Sequence, residues 1–163
     1  MEKEILNKLL KLGADDAIVK ITEADIEQVR FSRNRIDIAK NWLERSIDIF
    51  VAIGKRTIFT TIRDFEDIDR SLKNIIDFAK RGSENQSYYG IAKEGFNYRD
   101  IEFDKKIMDA DCKEYVHEAL NEIEGTAAGI VLKNHIKTKI ATPYTHAEDE
   151  HTNIEFSIRC LLY

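Results

Sequence analysis

Hydrophobic residues recur with two different periods along the chain, and the change of period predicts the elements. Over Glu2–Leu12 they return every three or four residues, which predicts an amphipathic helix, and Gly13 is placed to end it in a left-handed conformation. From Ala17 onward apolar and polar residues alternate, which predicts strands. The chain therefore opens with a helix that leads into a series of strands.

The strands of the first half are predicted from this alternation and its interruptions. We predict strands over Ala17–Thr22 and Glu27–Ser32, with a turn near Glu23–Asp25 between them. The strongest signal lies over Glu44–Ile53, where β-branched residues occupy one face and a sheet is favoured over a helix.

Two tight turns are predicted next to these strands. Arg33-Asn34 is a plausible turn because asparagine tolerates positive φ, and Ile36 and Ile38 continue on the next strand. Gly54-Lys55 has the composition of a hairpin turn, from which Thr57–Ile62 returns antiparallel.

The second half repeats this order of helices followed by strands. Apolar residues with helical spacing begin after Asp64, which offers an N-cap, and predict the second helix of the chain. A third helix is predicted over about Asp109–Glu124. Between them Ser83–Phe103 is irregular, and its many aromatic residues predict a loop that is docked on the surface. Three further strands are predicted: Ala127–Asn134, His135–Thr142 and Asn153–Leu162. The fold class that follows is α+β, a two-layer domain with a largely antiparallel sheet and about three helices packed on one face.

Length and charge narrow the classes of function. The chain has 163 residues, which fits one domain, and its net charge of −5 argues against a broad nucleic-acid surface. One basic cluster, formed by Arg30, Arg33, Arg35 and Lys40, is interleaved with apolar residues, and we interpret it as the solvent face of a hairpin. No apolar run approaches the length of a membrane span, and the cytoplasm is the expected compartment.

The two cysteines predict no disulfide scaffold and no metal site. Cys112 lies in a helical pattern and Cys160 in a strand pattern, and they are far apart in the sequence. We therefore interpret both as buried free thiols.

The sequence resembles the N-terminal domain of the TldD/PmbA family, once called modulators of DNA gyrase and now regarded as metalloproteases. Three stretches carry most of the resemblance: Lys11–Ala17; Arg30–Asp37 with Ala39–Trp42 behind it; and Phe50–Arg56 with Thr60-Thr61 and Asp64-Phe65. Ile140–Thr142 and Ser157–Arg159 fall where the family has its later strands, so the ordered resemblance extends over the whole chain.

The resemblance implies a fold and a division of labour between two domains. Members of the family are two-domain chains, so residues 1–163 are expected to be a single N-terminal domain without the family's C-terminal domain. In the full-length proteases a zinc ion is held in the second domain by His-Glu-x-x-x-His, and the cleft between domains admits an unfolded peptide. On this basis Phe31, Asn34, Ile36 and Trp42 are candidates to face a peptide or a partner. Each also has a structural interpretation, such as a turn for Asn34 or packing at the sheet edge for Trp42.

A search for catalytic and metal-binding residues gives no catalytic candidate in this chain. The sequence nearest to the zinc motif begins at His117, but its second histidine is replaced by Glu122, and His117 lies on the polar side of its helix. His146, Glu148 and His151 could together bind a divalent cation, but we interpret their segment as a charged hairpin loop. No cofactor is therefore expected in this chain, and zinc is expected only in the full-length proteases that it resembles.

Three functions remain open. The first is a truncated or split relative without the zinc centre, which packs with a C-terminal companion or a full-length relative and helps to form a peptide-binding cleft. The second is a component of an active zinc metallopeptidase whose metal ligands come from another chain. The third is a stand-alone, homodimeric protein-binding module. Activity of the chain alone is not expected, and no nucleic-acid or membrane partner is predicted.

Overall fold

The computed structural model describes residues 1–94 and 103–161. Within them the chain forms four α-helices and five β-strands, in the order α1 (Glu2–Lys11), β1 (Asp16–Ser32), β2 (Arg35–Ile53), β3 (Arg56–Ile62), α2 (Ile68–Arg81), α3 (Lys105–Asp109), α4 (Cys112–Asn121), β4 (Thr126–Ala141) and β5 (His146–Leu161). The strands form one antiparallel sheet in the order β3-β2-β1-β4-β5, which confirms the predicted α+β class.

The chain divides into two compact units. Unit 1 comprises Met1–Thr22, Arg45–Asp100 and Thr138–Asp149, and unit 2 comprises Glu23–Glu44, Ile101–Lys137 and Glu150–Tyr163. The long strands β1, β2, β4 and β5 contribute residues to both units, whereas β3 belongs to unit 1. Each unit has its own hydrophobic cluster.

The cluster of unit 1 joins α1 and α2 to one face of the sheet. Because successive residues of a strand point to opposite faces, every second residue of β1 and β2 lies under the helices. The buried residues of the two strands are Ala17, Val19, Ile21, Ile47, Ile49 and Val51, and those of the two helices are Ile5, Leu6, Leu9, Leu72, Ile75, Ile76 and Ala79.

The cluster of unit 2 is smaller and lies under α4. Its buried members are Val29, Phe31, Cys112, Val116, Ala127 and Val131. Cys112 is a buried free thiol as predicted, and burial is the main cause that raises its pKa. Cys160 is exposed on β5, so the prediction that it is buried is wrong.

Both predicted hairpin turns are confirmed. Arg33 and Asn34 have φ values of 49° and 62°, and Gly54 has a φ of 58°. The Asn34 side chain also ties its turn to the start of β4. Its Oδ1 accepts a hydrogen bond from Ala127 N at 2.6 Å, and its Nδ2 donates to Gly125 O at 2.8 Å. Asparagine here supplies both the left-handed backbone and two hydrogen bonds.

Two predicted strand interruptions are wrong. β1 runs without interruption through Glu23–Asp25. Ala24 is buried and its neighbours Glu23 and Asp25 are exposed, so the two acidic residues lie on the solvent-exposed face of the strand. β4 likewise continues through Asn134 and His135. Its polar side chains are satisfied across the neighbouring strand, since Asn134 Nδ2 donates to Asn153 Oδ1 at 2.7 Å.

The segment from His146 to His151 forms the first part of β5. The prediction that it is a hairpin loop is therefore wrong. The turn before it is held by Thr142, whose amide donates to Thr145 O at 2.8 Å. Charged residues are tolerated in this strand because they pair across it: Lys139 Nζ lies 3.2 Å from Glu148 Oε2.

The helices differ from the prediction in detail. α2 begins after Asp67, whose side chain accepts from Arg70 N at 3.0 Å, and not after Asp64. The short helix α3 was not predicted. The described part of the irregular segment, Ser83–Glu94, contains no helix or regular strand, and the rest up to residue 102 lies outside the described residues.

That segment is part of unit 1 and is docked on the strands of this unit through Tyr88. The Tyr88 hydroxyl donates to Asp16 Oδ2 at 2.6 Å, and its ring centroid lies 5.8 Å from that of Phe50. Burial, followed by this hydrogen bond, raises the pKa of Tyr88. The docking role predicted for the aromatic residues of this segment is therefore confirmed at Tyr88.

Candidate functional site

The face of unit 1 opposite α1 and α2 carries an open apolar hollow. Ile18 and Lys20 alternate with the buried β1 residues and so point to this face. Phe50 and Phe59 lie directly opposite each other in the register of β2 and β3. Together with Asp48 and Ile140 they line a hollow of about 340 Å³, which we call the unit 1 hollow.

The lining of the unit 1 hollow combines two charged side chains, Lys20 and Asp48, with four apolar ones. Asp48 Oδ2 lies 3.8 Å from Lys20 Nζ, and Asp48 Oδ1 accepts a hydrogen bond from Thr61 Oγ1 at 2.7 Å. Phe59 is 67% exposed, while Ile18, Phe50 and Ile140 are half-buried. This composition suits an apolar protein surface or side chain, and the lining offers no pair of groups arranged for acid–base chemistry.

A second feature is an unpaired edge of β2 in unit 2. β3 pairs with β2 only from Ile47↔Ile62 to Ile53↔Arg56. On the other side β2 is bordered by β1. Among the described residues no strand therefore pairs with the outer edge of Arg35–Glu44, which we call the open edge. Ile38 is 45% exposed on it and Leu43 is 80% exposed.

The four residues predicted to face a peptide or a partner fall into different environments. Phe31 is a core side chain of unit 2 and stacks on Phe156 with ring centroids 6.2 Å apart. Asn34 is exposed and holds the hairpin turn. Ile36 packs partly against the unit 2 cluster. Burial places Phe31 beneath the surface, so any contact that it makes with a partner passes through its neighbours.

Trp42, the fourth of these residues, lies on the open edge. Its ring is half-buried, its Nε1 donates to Glu44 Oε1 at 2.7 Å, and the Lys40 ammonium lies 4.4 Å from the ring centroid. These local contacts hold the indole in place and keep a cation beside it.

The basic cluster next to the open edge consists of exposed side chains. Arg30, Arg33 and Arg35 are all exposed. Within residues 1–94 and 103–161 none of these three guanidinium groups has an ion pair. The exposure agrees with the predicted hairpin face, but the lack of carboxylate partners could not be read from the sequence.

The structure joins two of the three candidate metal ligands and adds a third residue from the chain start. His146 Nε2 lies 3.1 Å from Glu2 Oε1 and 3.6 Å from Glu148 Oε1. The three ligand atoms lie within 4.8 Å of one another, and His151 is not part of this group. Sequence patterns could not find Glu2, because it is separated from His146 by 144 positions.

Several charges already balance the carboxylates of this group. The terminal ammonium lies 3.5 Å from Glu2 Oε2, and Lys139 lies 3.2 Å from Glu148 Oε2. Glu2 is only 8% exposed. A hydrogen bond from its own backbone, with a further one to His146, lowers the pKa of Glu2 although burial opposes the shift. The group is therefore accounted for as a network of hydrogen bonds and ion pairs that joins the start of α1 to β5.

The remaining histidine of interest, His117, is exposed on α4, as predicted. Within the described residues no helix combines the length and apolar character needed to cross a bilayer.

Comparison with solved structures shows the fold of the chain. It is similar to TldE from Thermococcus kodakarensis, with 13% identity, a TM-score of 0.76, and coverage of 96% of this chain and 38% of that chain. It is also similar to a candidate modulator of DNA gyrase from Bacteroides thetaiotaomicron, with 14% identity, a TM-score of 0.69, and coverage of 96% and 39%. A third such protein, from Thermotoga maritima, has 14% identity, a TM-score of 0.70, and coverage of 97% and 42%.

The sequence comparisons add no family. No protein-family profile matches the chain, and no curated protein matches it. The chain thus has the fold of part of TldE and of the gyrase-modulator proteins, and it spans about two-fifths of their length.

Proposed function

We propose that the chain works as a TldD/PmbA-like N-terminal domain without a zinc protease centre, and that it packs with a companion domain to form a peptide-binding cleft. The observation that carries the proposal is the unequal coverage. The solved neighbours match nearly all of this chain but contain a further three-fifths, roughly, that it does not match. The sequence itself contains no His-Glu-x-x-x-His, so a zinc centre of that kind would have to come from the companion.

The unit 1 hollow is the surface we assign to the companion. Exposed aromatic side chains on a sheet face that no described helix covers favour contact with another apolar surface. Phe59 is the best probe of this surface because it is 67% exposed and sits at the hollow. We expect the assembly to work in the cytoplasm and to bind neither nucleic acid nor membrane.

The proposal is tested by co-expression with a companion. The probe is the polypeptide with His-Glu-x-x-x-His that is encoded after Tyr163 or in a neighbouring reading frame. Size-exclusion chromatography with light scattering should give a stoichiometric complex, which Phe59→Asp should weaken by about tenfold or more. Phe78→Asp is the matched control, since Phe78 is also 67% exposed but lies on α2. A missing companion frame, the absence of a complex, or equal effects of the two variants would contradict the proposal.

The two other functions give different results in the same experiment. A zinc peptidase shared between chains predicts stoichiometric zinc and peptide cleavage only after the companion is added. A homodimeric binding module predicts a dimer of this chain alone that Phe59→Asp dissociates. Zinc analysis and light scattering on the chain, before and after mixing, separate the three.

A further inference from the structure

Three side chains with metal-binding atoms meet in unit 1, where the start of α1 contacts the first part of β5. His146 Nε2 lies 3.1 Å from Glu2 Oε1 and 3.6 Å from Glu148 Oε1, and the three atoms lie within 4.8 Å of one another. Donor atoms that share one zinc ion at bond lengths of about 2.0–2.2 Å are roughly 2.8–3.6 Å apart. Both distances from His146 therefore fit ligands of a common ion.

The two carboxylates differ in how freely they can adjust to such an ion. The Glu2 side chain is only 10% exposed, so packing holds it at the start of α1, whereas that of Glu148 is 54% exposed. Rotation of the Glu148 side chain can therefore shorten the remaining distance, which joins the two carboxylates. A buried carboxylate has lost most of its water, so a cation beside Glu2 compensates its charge more strongly than one in open solvent.

The ion pairs of this group leave one oxygen of each carboxylate turned toward His146. The terminal ammonium lies 3.5 Å from Glu2 Oε2, and Lys139 Nζ lies 3.2 Å from Glu148 Oε2. The two cations therefore contact the Oε2 atoms, whereas both Oε1 atoms lie near the imidazole. Metal ligands are commonly oriented in this way, by partners that hold the atoms not bound to the metal.

The imidazole cannot serve both carboxylates through a single hydrogen bond. Nε2 carries at most one hydrogen atom, and only Glu2 Oε1, at 3.1 Å, lies within hydrogen-bond distance of it. Glu148 Oε1 lies at 3.6 Å, beyond that distance. A cation bound to the Nε2 lone pair would contact all three atoms, while Nδ1 carried the hydrogen of the neutral ring.

We propose that Glu2, His146 and Glu148 bind a divalent transition-metal ion, for which Zn²⁺ is the probe. One imidazole and two carboxylates suit Zn²⁺ or Mn²⁺ better than Mg²⁺ or Ca²⁺, which prefer ligand sets made of oxygen alone. The ion links α1 to β5 through residues that are 144 positions apart, so its role is a structural cross-link. The network of hydrogen bonds and ion pairs described above is the form that these side chains take without the ion.

The neighbouring cations set the expected affinity. The terminal ammonium and Lys139 repel a metal ion, although they also orient its ligands. We therefore expect a dissociation constant on the order of 10 µM, weaker than that of zinc sites built from thiolates. The site also differs from a His-Glu-x-x-x-His centre in its residues and in its lack of any assigned catalytic step.

Zinc titration of the purified full chain tests the proposal. The chain is expressed without a histidine tag, stripped with EDTA and dialysed, and isothermal titration calorimetry measures the binding of ZnCl₂. We expect one ion per chain, and Mg²⁺ should bind at least about tenfold more weakly. At a zinc concentration of about 100 times Kd the melting temperature should rise by about 5 °C or more. NMR of ¹⁵N-labelled histidine should show a shift of the His146 Nε2 resonance when zinc is added.

Protein variants locate the site. Glu148→Gln changes the most exposed ligand, so it should fold normally and weaken zinc binding by about tenfold or more. His146→Ala should abolish the one-to-one binding. The matched control is His117→Ala with Glu118→Gln, both exposed on α4 of unit 2, and it should leave the affinity unchanged. His151→Ala should also leave it unchanged, since His151 is not part of the group.

The outcomes separate this site from binding elsewhere on the surface. Circular dichroism first confirms that each variant is folded. Absence of one-to-one zinc binding, or retained binding in both Glu148→Gln and His146→Ala, would overturn the proposal. Equal weakening in the α4 control would show adventitious binding by surface side chains, and would also overturn it.

The inference does not depend on the proposed companion, because zinc binding is measured on the chain alone. The companion complex can form whether or not the chain binds zinc, and the reverse also holds. Zinc analysis of the complex uses the His146→Ala chain, so that zinc held by the companion is counted separately.

Discussion

Unit 1 and unit 2 share the strand β2 but leave its outer edge in opposite states. In unit 1 the edge is paired with β3 from Ile47 to Ile53, and α1 and α2 close one face of the sheet over a large cluster. In unit 2 the same strand continues without an outer neighbour among the described residues. The length difference between two adjacent strands is therefore enough to turn an interior strand into an edge strand.

Ion pairs occur in both units. In unit 1 Lys8 Nζ lies 2.8 Å from Asp69 Oδ1 and Arg56 lies 3.2 Å from Glu84 Oε1, and in unit 2 Lys133 Nζ lies 2.7 Å from Glu27 Oε2. In unit 2 the arginines beside the open edge have no such partners among the described residues. The comparison teaches that unit 1 presents an exposed apolar hollow, whereas unit 2 presents an edge of β2 with which no described strand pairs.

The largest expected effect comes from the core of unit 2. Phe31→Ala removes a ring that is 1% exposed and should reduce the free energy of unfolding by about 4 kcal/mol. Urea denaturation gives the loss, and hydrogen exchange locates it. Leu72→Ala in unit 1 is the counterpart and should cost about 3 kcal/mol.

The two core variants sharpen the comparison of units. Amides of β4 beside Val131 should lose more protection in Phe31→Ala, and those of α2 should lose more in Leu72→Ala. Identical exchange maps for the two variants would contradict the separation of the hydrophobic clusters.

A smaller effect is expected at the hairpin turn. Asn34→Ala loses both side-chain hydrogen bonds and must hold alanine at a φ of 62°, so we expect a loss of about 2 kcal/mol. Asn34→Gly loses the hydrogen bonds but tolerates this φ, so its loss should be about 1 kcal/mol. Thermal and urea melts measure both. If the glycine variant were the less stable of the two, backbone strain would not be the distinguishing cause.

The smallest effect is a pH dependence in unit 1. Because the pKa of Glu2 is lowered from its ordinary value of 4.5, the folded state favours the ionised carboxylate. Its stabilisation is therefore present above about pH 4.5 and is lost as pH falls through the lower folded pKa. Glu2→Gln should cost about 1 kcal/mol at pH 7 and less near pH 3. Equal losses at both pH values would contradict the account that the ionised Glu2 carboxylate stabilises the folded state.

Local patterns in the sequence predicted the elements whose causes are local. The periodicity of α1, the stripe of α2 and the turns at Arg33-Asn34 and Gly54-Lys55 depend on residues close to one another in the chain. The α+β class follows from the order of these elements. The resemblance to the TldD/PmbA N-terminal domain agrees with the fold of the solved neighbours.

Features that depend on distant partners were missed. The polar segment at His135 belongs to β4, which neighbours β5 in the sheet, and His135 Nε2 lies 2.7 Å from Glu150 Oε1 on β5. The Glu2–His146 contact joins the two ends of the sequence. The open edge depends on the strand order and on the short pairing between β3 and β2. The alternation of polar and apolar residues in the sequence specifies neither.

Residue-resolved hydrogen exchange along β2 tests the central claim most directly. In the free chain we expect slow exchange at consecutive amides of Ile47–Ile53, which have strands on both sides, but alternating slow and fast exchange over Arg35–Glu44. Uniformly slow exchange over Arg35–Glu44 in the free chain would contradict an open edge.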